Sequence, residues 1–271
     1  MGLIAEAKSN RELIRNLTLR EIRGKYKRTL LGQGWSLLNP IAQMAIYTLV
    51  FGFVLRAQPE PGDPSGLDIF ALWVTCALLP WGMFANAVST GMGSLVGNAG
   101  LVQKVYFPRW ILVLANVAAA VATFLFELVV LTIAIMLFGG NPLLQLPLAL
   151  IVILLLAMFS FGIALALSVI TVYFRDTSHL MAIVMQIWFY ATPIVYPIQL
   201  VQTNLADHPL ILLIYRFNPM EQFVAAFRAI FYDNTWPSAN NLLACLISAV
   251  VSLAIGAWIF RKLEGRVSEE L

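Results

Sequence analysis

Lys25–Pro40 reads K-Y-K-R-T-L-L-G-Q-G-W-S-L-L-N-P. Within these sixteen residues the chain passes from a basic cluster (Arg23, Lys25, Lys27 and Arg28, counting back two positions) to the start of an apolar run. Gly32, Gly34 and Trp35 stand between the two. Lys and Arg collect on the cytoplasmic side of a bilayer, and an indole favours its polar boundary. The stretch therefore predicts a chain that enters a membrane from the cytoplasm, and it orients everything downstream.

Composition agrees. The chain has 271 residues, 60% of them apolar and 11% charged, and its mean hydropathy is +0.83. Soluble domains carry roughly 25% charged residues. The apolar residues fall in blocks of the roughly 20 residues that a helix needs to cross about 30 Å of hydrocarbon. An all-α polytopic membrane protein is expected, and the net charge of +3 says nothing of nucleic acid. The first 35 or so residues are polar, contain Glu6, Glu12 and Glu21, and are too long for the n-region of a cleavable signal. The first apolar run is therefore read as a permanent span. Cys76 and Cys245 both sit in apolar segments and read as small buried hydrophobes, with no disulfide or metal framework.

In chain order, residues 1–35 form a cytoplasmic N-terminus whose part from about 10 to 30 reads as a surface helix. Leu19, Ile22, Tyr26 and Leu30 share a helical face, with Leu13, Ile14 and Leu17 rotated away from it. A single membrane domain follows over 36–262, with six spans at about 36–55, 68–96, 110–138, 143–174, 179–197 and 242–260. The second contains Pro80, a kink site, and a small-residue tail in which Gly93 and Gly97 are spaced for close helix packing. Between spans five and six, about 198–240, Pro209–Phe217 and Met220–Tyr232 are apolar but too short to cross, and read as helices dipping into one leaflet. Asn218, Pro219 and Glu221 fit the N-cap, N1 and N3 of the second. Residues 263–271 are a cytoplasmic tail. With the N-terminus inside, about 14 Lys and Arg lie on the cytoplasmic side and three outside: Arg56, Arg216 and Arg228. Both termini are expected in the cytoplasm.

Catalytic chemistry is poorly supplied. The sequence has no metalloprotease, nucleophile-elbow or phosphate-loop motif. His179 and His208 read as solvated loop residues, and the scattered acids Asp63, Asp68, Asp207 and Asp233 do not form a metal-holding pair. Glu127 is the one clear carboxyl inside the hydrocarbon, and so a candidate functional residue. Tyr47, Phe51, Trp73, Trp81, Phe84, Trp188 and Tyr190 are candidates to line a conduit, because aromatic faces stack on sugar rings without a fixed register.

Five stretches together resemble the permease subunits of ABC-2 type polysaccharide exporters, which serve O-antigen and teichoic-acid systems. They are Leu31–Pro40 (L-G-Q-G-W-S-L-L-N-P), Lys104–Arg109 (K-V-Y-F-P-R), Tyr173–Asp176 (Y-F-R-D), Thr192–Pro197 (T-P-I-V-Y-P) and Phe217–Arg228 (F-N-P-M-E-Q-F-V-A-A-F-R). The resemblance implies six spans, an N-terminal interface helix, and re-entrant helices between spans five and six. It implies a homodimer around a channel, with two copies of a separate ATPase below. ATP and Mg would belong to that ATPase, so this chain would bind no cofactor and would not be an enzyme. The turn formed by Lys104, Val105, Tyr106, Phe107, Pro108 and Arg109 would dock on the ATPase, beside Arg20, Arg23, Lys25, Tyr26, Lys27 and Arg28 of the interface helix. Charge reversal at Lys104 and Arg109 would then uncouple ATP hydrolysis from export. The cargo would be a polysaccharide on an undecaprenyl-type lipid, exported across a bacterial inner membrane, with Arg216 and Arg228 as candidate contacts for its pyrophosphate or for lipid headgroups. The alternatives are an ABC-2 permease for a drug or lipid, and a membrane-embedded transferase acting on lipid-linked sugars.

Overall fold

The computed structural model describes residues 10–25, 32, 34–54, 61–204, 215 and 217–270. Tyr26, Lys27, Arg28, His208 and Arg216 lie outside the described residues, as do the side chains of Lys25 and Phe51. Among the described residues every regular element is helical. Helix α1 spans Arg11–Lys25, and α2 spans Gly34–Tyr47 and runs on as a π-helix over Thr48–Val54. Next come α3 (Phe70–Met92), α4 (Ser94–Gly97), α5 (Ala99–Lys104) and α6 (Trp110–Leu137). Then follow α7 (Leu146–Tyr173), α8 (Thr177–Tyr190) and α9 (Ile198–Asn204). The last are α10 (Pro219–Phe227) with a π-helical turn to Asp233, α11 (Ala239–Leu263) and α12 (Val267–Glu270).

Four of these, α3, α6, α7 (with the 3-10 turn before it) and α11, are long and apolar enough to cross a membrane. Their few hydroxyls show how an apolar solvent is met. Thr75, Thr123, Thr132, Ser160 and Thr171 each donate to the carbonyl four residues back, so these hydroxyls are satisfied within their own helices. Pro80 sits inside the continuous α3, where neighbouring helices enclose it: 16 of that helix's residues are buried, Pro80 among them. Outward faces carry large apolar side chains, such as Phe53, Leu144, Ile187 and Trp258, each more than 60% exposed. On a soluble protein such a band would be an aggregation surface; here it is the lipid-facing side.

The interior divides into two stacked cores. One joins the N-terminal half of α3, the C-terminal half of α6 and the N-terminal half of α7 to Met185, Ile194, Val195, most of α10 and Cys245. The other joins Leu17, Ala87, Leu95, Val102, Trp110–Val113, Val169, Val172, Phe260 and Val267. Helices α3, α7 and α11 therefore run from the first core to the second, and α6 runs back. Helix α8 also leaves the second end at Thr177 and puts Met185 into the first core.

Two expected boundaries change. The second span ends at Met92 rather than near Val96, and its small-residue tail folds into the two short helices α4 and α5, broken at Asn98. The N-terminal helix buries Leu17, flanked by Leu13 and Ile14, against the second core. That is the trio expected to be rotated away, while Leu19 and Ile22 are only half-buried. Packing against α6 selects the face, whichever side the longer apolar stripe is on.

The helix contact that most constrains the bundle involves neither Gly93 nor Gly97, which meet no neighbouring helix. It lies at Gly162 of α7 and Gly256 of α11. A Cβ on Gly256 would stand 1.9 Å from the Gly162 carbonyl oxygen, and one on Gly162 would stand 2.4 Å from the Ser252 carbonyl carbon. Ser252 Oγ donates across the same crossing to the Phe159 carbonyl at 2.8 Å.

Candidate functional site

Charge separates the two ends of the bundle. Every described Lys and Arg except Arg228 lies on an element bordering the second core, at the end where α5, α7 and α11 finish and α6 begins. Asp63, Asp68, Glu221 and Asp233 lie at the other.

At the basic end the Lys104–Arg109 segment is held from both sides. Helix α5 carries the chain to Lys104, Val105 is extended, and Arg109 precedes the first turn of α6. Phe107 packs on the second core. Arg109 Nη1 donates to the Glu264 carbonyl, tying the segment to the chain's C-terminal turn. Tyr173 Oη donates to the neighbouring Leu263 carbonyl at 2.9 Å, and Val267 is fully buried. The start of the expected cytoplasmic tail is thus packed against the bundle. What this frame presents outward is Val105 and the fully exposed ring of Tyr106. Arg109 is thus a brace within the chain. Arg20 also has partners in the chain. Its Nη2 reaches Glu21 Oε1 at 2.6 Å and Asn98 Oδ1 at 2.7 Å, fastening α1 to the α4–α5 junction. Arg23, Arg175, Asp176 and His179 are exposed at this end.

At the opposite end, Asn218 caps α10 as expected, its Oδ1 accepting from the Met220 N–H at 3.1 Å. The same oxygen accepts from Trp188 Nε1 at 2.8 Å, and Nδ2 donates to Ala191 O and Thr192 Oγ1, each at 3.0 Å. One short amide thereby pins α10 to the end of α8. The reciprocal half of the capping box is absent, since Glu221 is instead engaged by Gln222.

Arg228 is held by the turn after α8. Its Nη1 and Nη2 donate to the Pro193 and Ile194 carbonyls at 2.7 Å each, and its guanidinium carbon lies 3.5 Å over the Trp73 ring. Both terminal nitrogens thus donate to the T-P-I-V turn. Burial pulls Arg228 down to about 9, with Cys76, Asp233, Glu221 and Tyr215 opposing the shift. Burial likewise pushes Glu221 up to about 7 and Asp233 up to about 6, with Arg228 opposing both. Arg228→Gln is expected to lower the melting temperature, because hydrogen bonds to a charged group contribute roughly 1.5–3 kcal/mol. Arg228→Lys should restore little, since an ammonium has no planar fork for two carbonyls. Parental stability in Arg228→Gln, read by thermal unfolding of the purified protein, would show that the turn holds without this residue.

The aromatic candidates separate by burial. Phe84 is fully buried and Trp81 nearly so. With Trp188 they interlock edge-on, at 5.1 Å for Phe84–Trp188, 5.6 Å for Trp81–Phe84 and 6.3 Å for Trp81–Trp188. These three join α3 to α8 inside the protein. Tyr190 is exposed, and Tyr47 is half-buried with its ring 6.2 Å from that of Phe189. Glu127 lines an apolar cavity of about 310 Å³ between α2, α3 and α6. Both cysteines are free and buried. Among the described residues no cluster of His, Cys, Asp and Glu is placed to hold a metal.

The pinning of α10 to the end of α8 by the Asn218 amide and the Gly162–Gly256 contact escaped the sequence reading. The second had a signal in Ser252 and Gly256, small residues four apart on a span.

Comparison with known proteins adds four findings. Residues 12–232 match the family model described as ABC-2 type transporter. The chain is 29% identical to the O-antigen export system permease protein RfbA of Myxococcus xanthus, over 99% of each chain. It is 25% identical to the protein of the same description from Klebsiella pneumoniae, over 96% of this chain and 95% of the relative. The polysialic acid transport protein KpsM of Escherichia coli matches at 29% over 31% of each chain.

Proposed function

We propose that this chain, which belongs to the ABC-2 type transporter family, is the membrane permease subunit of a polysaccharide exporter. The observation that carries the reading is its end-to-end similarity to an O-antigen export permease, 29% identical with 99% of each chain covered. A subunit without a phosphate-binding loop needs a separate ATPase to drive transport. The polymer is carried on a lipid and leaves from the cytoplasmic side.

The finer architecture follows from the two ends of the bundle. The basic end is cytoplasmic by the positive-inside rule, which puts α1, the Lys104–Arg109 segment and both chain ends in the cytoplasm of a bacterial inner membrane. Six crossings are the reading that fits this orientation. Helix α2 with its π-helical extension and helix α8 are the two added to the four long helices. Helix α8 has 14 residues, about 21 Å of rise, and the buried Thr192–Val195 turn continues it. Helix α10 then returns into the same leaflet. Two copies form the conduit, with one ATPase beneath each.

Deleting the gene tests this directly. The expected result is polymer retained inside the cell and absent from the surface, with affinity-purified permease retaining a stoichiometric ATPase. Normal surface polymer in the deletion strain would reject the exporter reading.

A further inference from the structure

The interior of this protein is apolar almost everywhere, so a polar cavity within it needs a reason. One of about 330 Å³ lies at the end opposite the basic face, where the 61–63 loop, the start of α3, the residues after α8 and the α10 hairpin meet. That volume is at the lower end of the roughly 300–1,000 Å³ found for small-molecule sites. Its polar lining is Asp63, Gln199, Glu221, Arg228 and Asp233, with Trp73 beneath Arg228. Pro61, Pro193 and Pro197 form part of its wall, fixing the backbone on which these groups sit.

The charge pattern selects the ligand. Three carboxyls share the lining with one guanidinium. A phosphate or pyrophosphate would meet more like charge than opposite charge, so anions are disfavoured. A divalent ion is disfavoured as well, because the acids do not converge on a point. A neutral polyhydroxyl compound suits the lining. Carboxylates accept strong hydrogen bonds from hydroxyls, and Arg228, a lining residue, gives only two of its five N–H groups to the Pro193 and Ile194 carbonyls. Glu221, raised towards neutrality by burial, can accept and donate. The Trp73 face is covered by Arg228, so the cavity would read hydroxyl positions rather than stack a ring.

We propose that this cavity is a binding subsite for one neutral sugar residue of the exported polymer at the outer end of the permease. The inference rests on the polysaccharide reading above and adds a place where the polymer is held after crossing. A weak site there would oppose back-sliding between strokes of the ATPase without trapping the chain.

The test uses full-length permease in lipid nanodiscs, with glucose, galactose, mannose and N-acetylglucosamine as probes and inorganic pyrophosphate as the anion control. Binding is read by saturation-transfer NMR. The expected result is saturable binding of at least one sugar in the millimolar range, weaker by tenfold or more in Asp63→Ala and Glu221→Gln, with no competition from pyrophosphate. Asp63 is on an exposed loop, so its replacement leaves folding intact, which circular dichroism of the same sample checks. Absence of saturation by any of the four sugars, parental affinity in both variants, or tighter binding of pyrophosphate would each overturn the proposal. The gene deletion separates the two readings. If deletion strands polymer while no sugar binds, only the cavity inference fails; if deletion leaves surface polymer unchanged, the exporter reading fails whatever the cavity binds.

Discussion

Gly256→Ala is expected to lower the melting temperature of the solubilised permease by roughly 6–12 °C, and Gly256→Leu to prevent recovery of a monodisperse protein. Adding methylenes to a packed interior costs about 1–3 kcal/mol when side chains can shift. Here the obstacle is the Gly162 carbonyl, 1.9 Å from the new Cβ, and a backbone cannot rotate away. Three kcal/mol corresponds to roughly 6–12 °C for a chain of about this size. Helix α11 packs mainly against α7. Its buried residues are Cys245, Ala249, Gly256 and Phe260, one narrow stripe of mostly small side chains, and Ser252 adds a hydrogen bond at the same crossing. In lipid no hydrophobic force draws helices together, so close backbone approach is what remains. Gly162→Ala should behave like Gly256→Ala. Gly97→Ala is the control, since a Cβ there meets nothing within 4 Å. Melting of Gly256→Ala within about 2 °C of the parent, followed by heating and size-exclusion chromatography, would show that the two backbones do not touch.

These glycines also show where the sequence stopped being informative. Hydropathy located the long spans because the bilayer acts on composition, and a run such as Leu146–Tyr173 has no other stable place. The Asn218 cap was legible because N-cap chemistry is local: a short amide, then proline. Which small residues meet was not local. Gly93 and Gly97 have the same spacing as Ser252 and Gly256, and only the path of α7 past α11 tells them apart. Arg228 illustrates the same limit. An arginine outside the hydrocarbon reads as a free cation until the Pro193 and Ile194 carbonyls, more than thirty residues earlier, are placed against it. The same holds for Arg109 and Glu264, which are 155 residues apart. Motif order picked out the Lys104–Arg109 segment. Only the fold separated the residues that hold it from the residue it displays.

That separation redirects the test of coupling. Reversing charge at both Lys104 and Arg109 mixes two effects, because Arg109→Glu would strip the Glu264 carbonyl of its donor and loosen the C-terminal turn as well as change the surface. Tyr106→Ala has no such ambiguity. The ring is fully exposed at the tip of a segment fixed at one end by α5 and at the other by Phe107 and Arg109, so truncating it should leave the melting temperature unchanged. A rigidly presented aromatic with no contact inside its own chain has the form of an interface anchor, and anchors of this kind contribute about 2 kcal/mol or more when buried by a partner. At about 1.4 kcal/mol per tenfold, Tyr106→Ala is expected to weaken association with the proposed ATPase roughly 30-fold. ATPase would be lost from the affinity-purified permease, and surface polymer would fall in parallel. Lys104→Glu, which leaves the brace intact, should give a smaller loss that deepens with added salt, as a rim charge does. If the ATPase copurifies with Tyr106→Ala as it does with the parent and export is unchanged, the Lys104–Arg109 segment is not the docking point. The exposed Phe174–Asp176 turn at the same end would be the next surface to test.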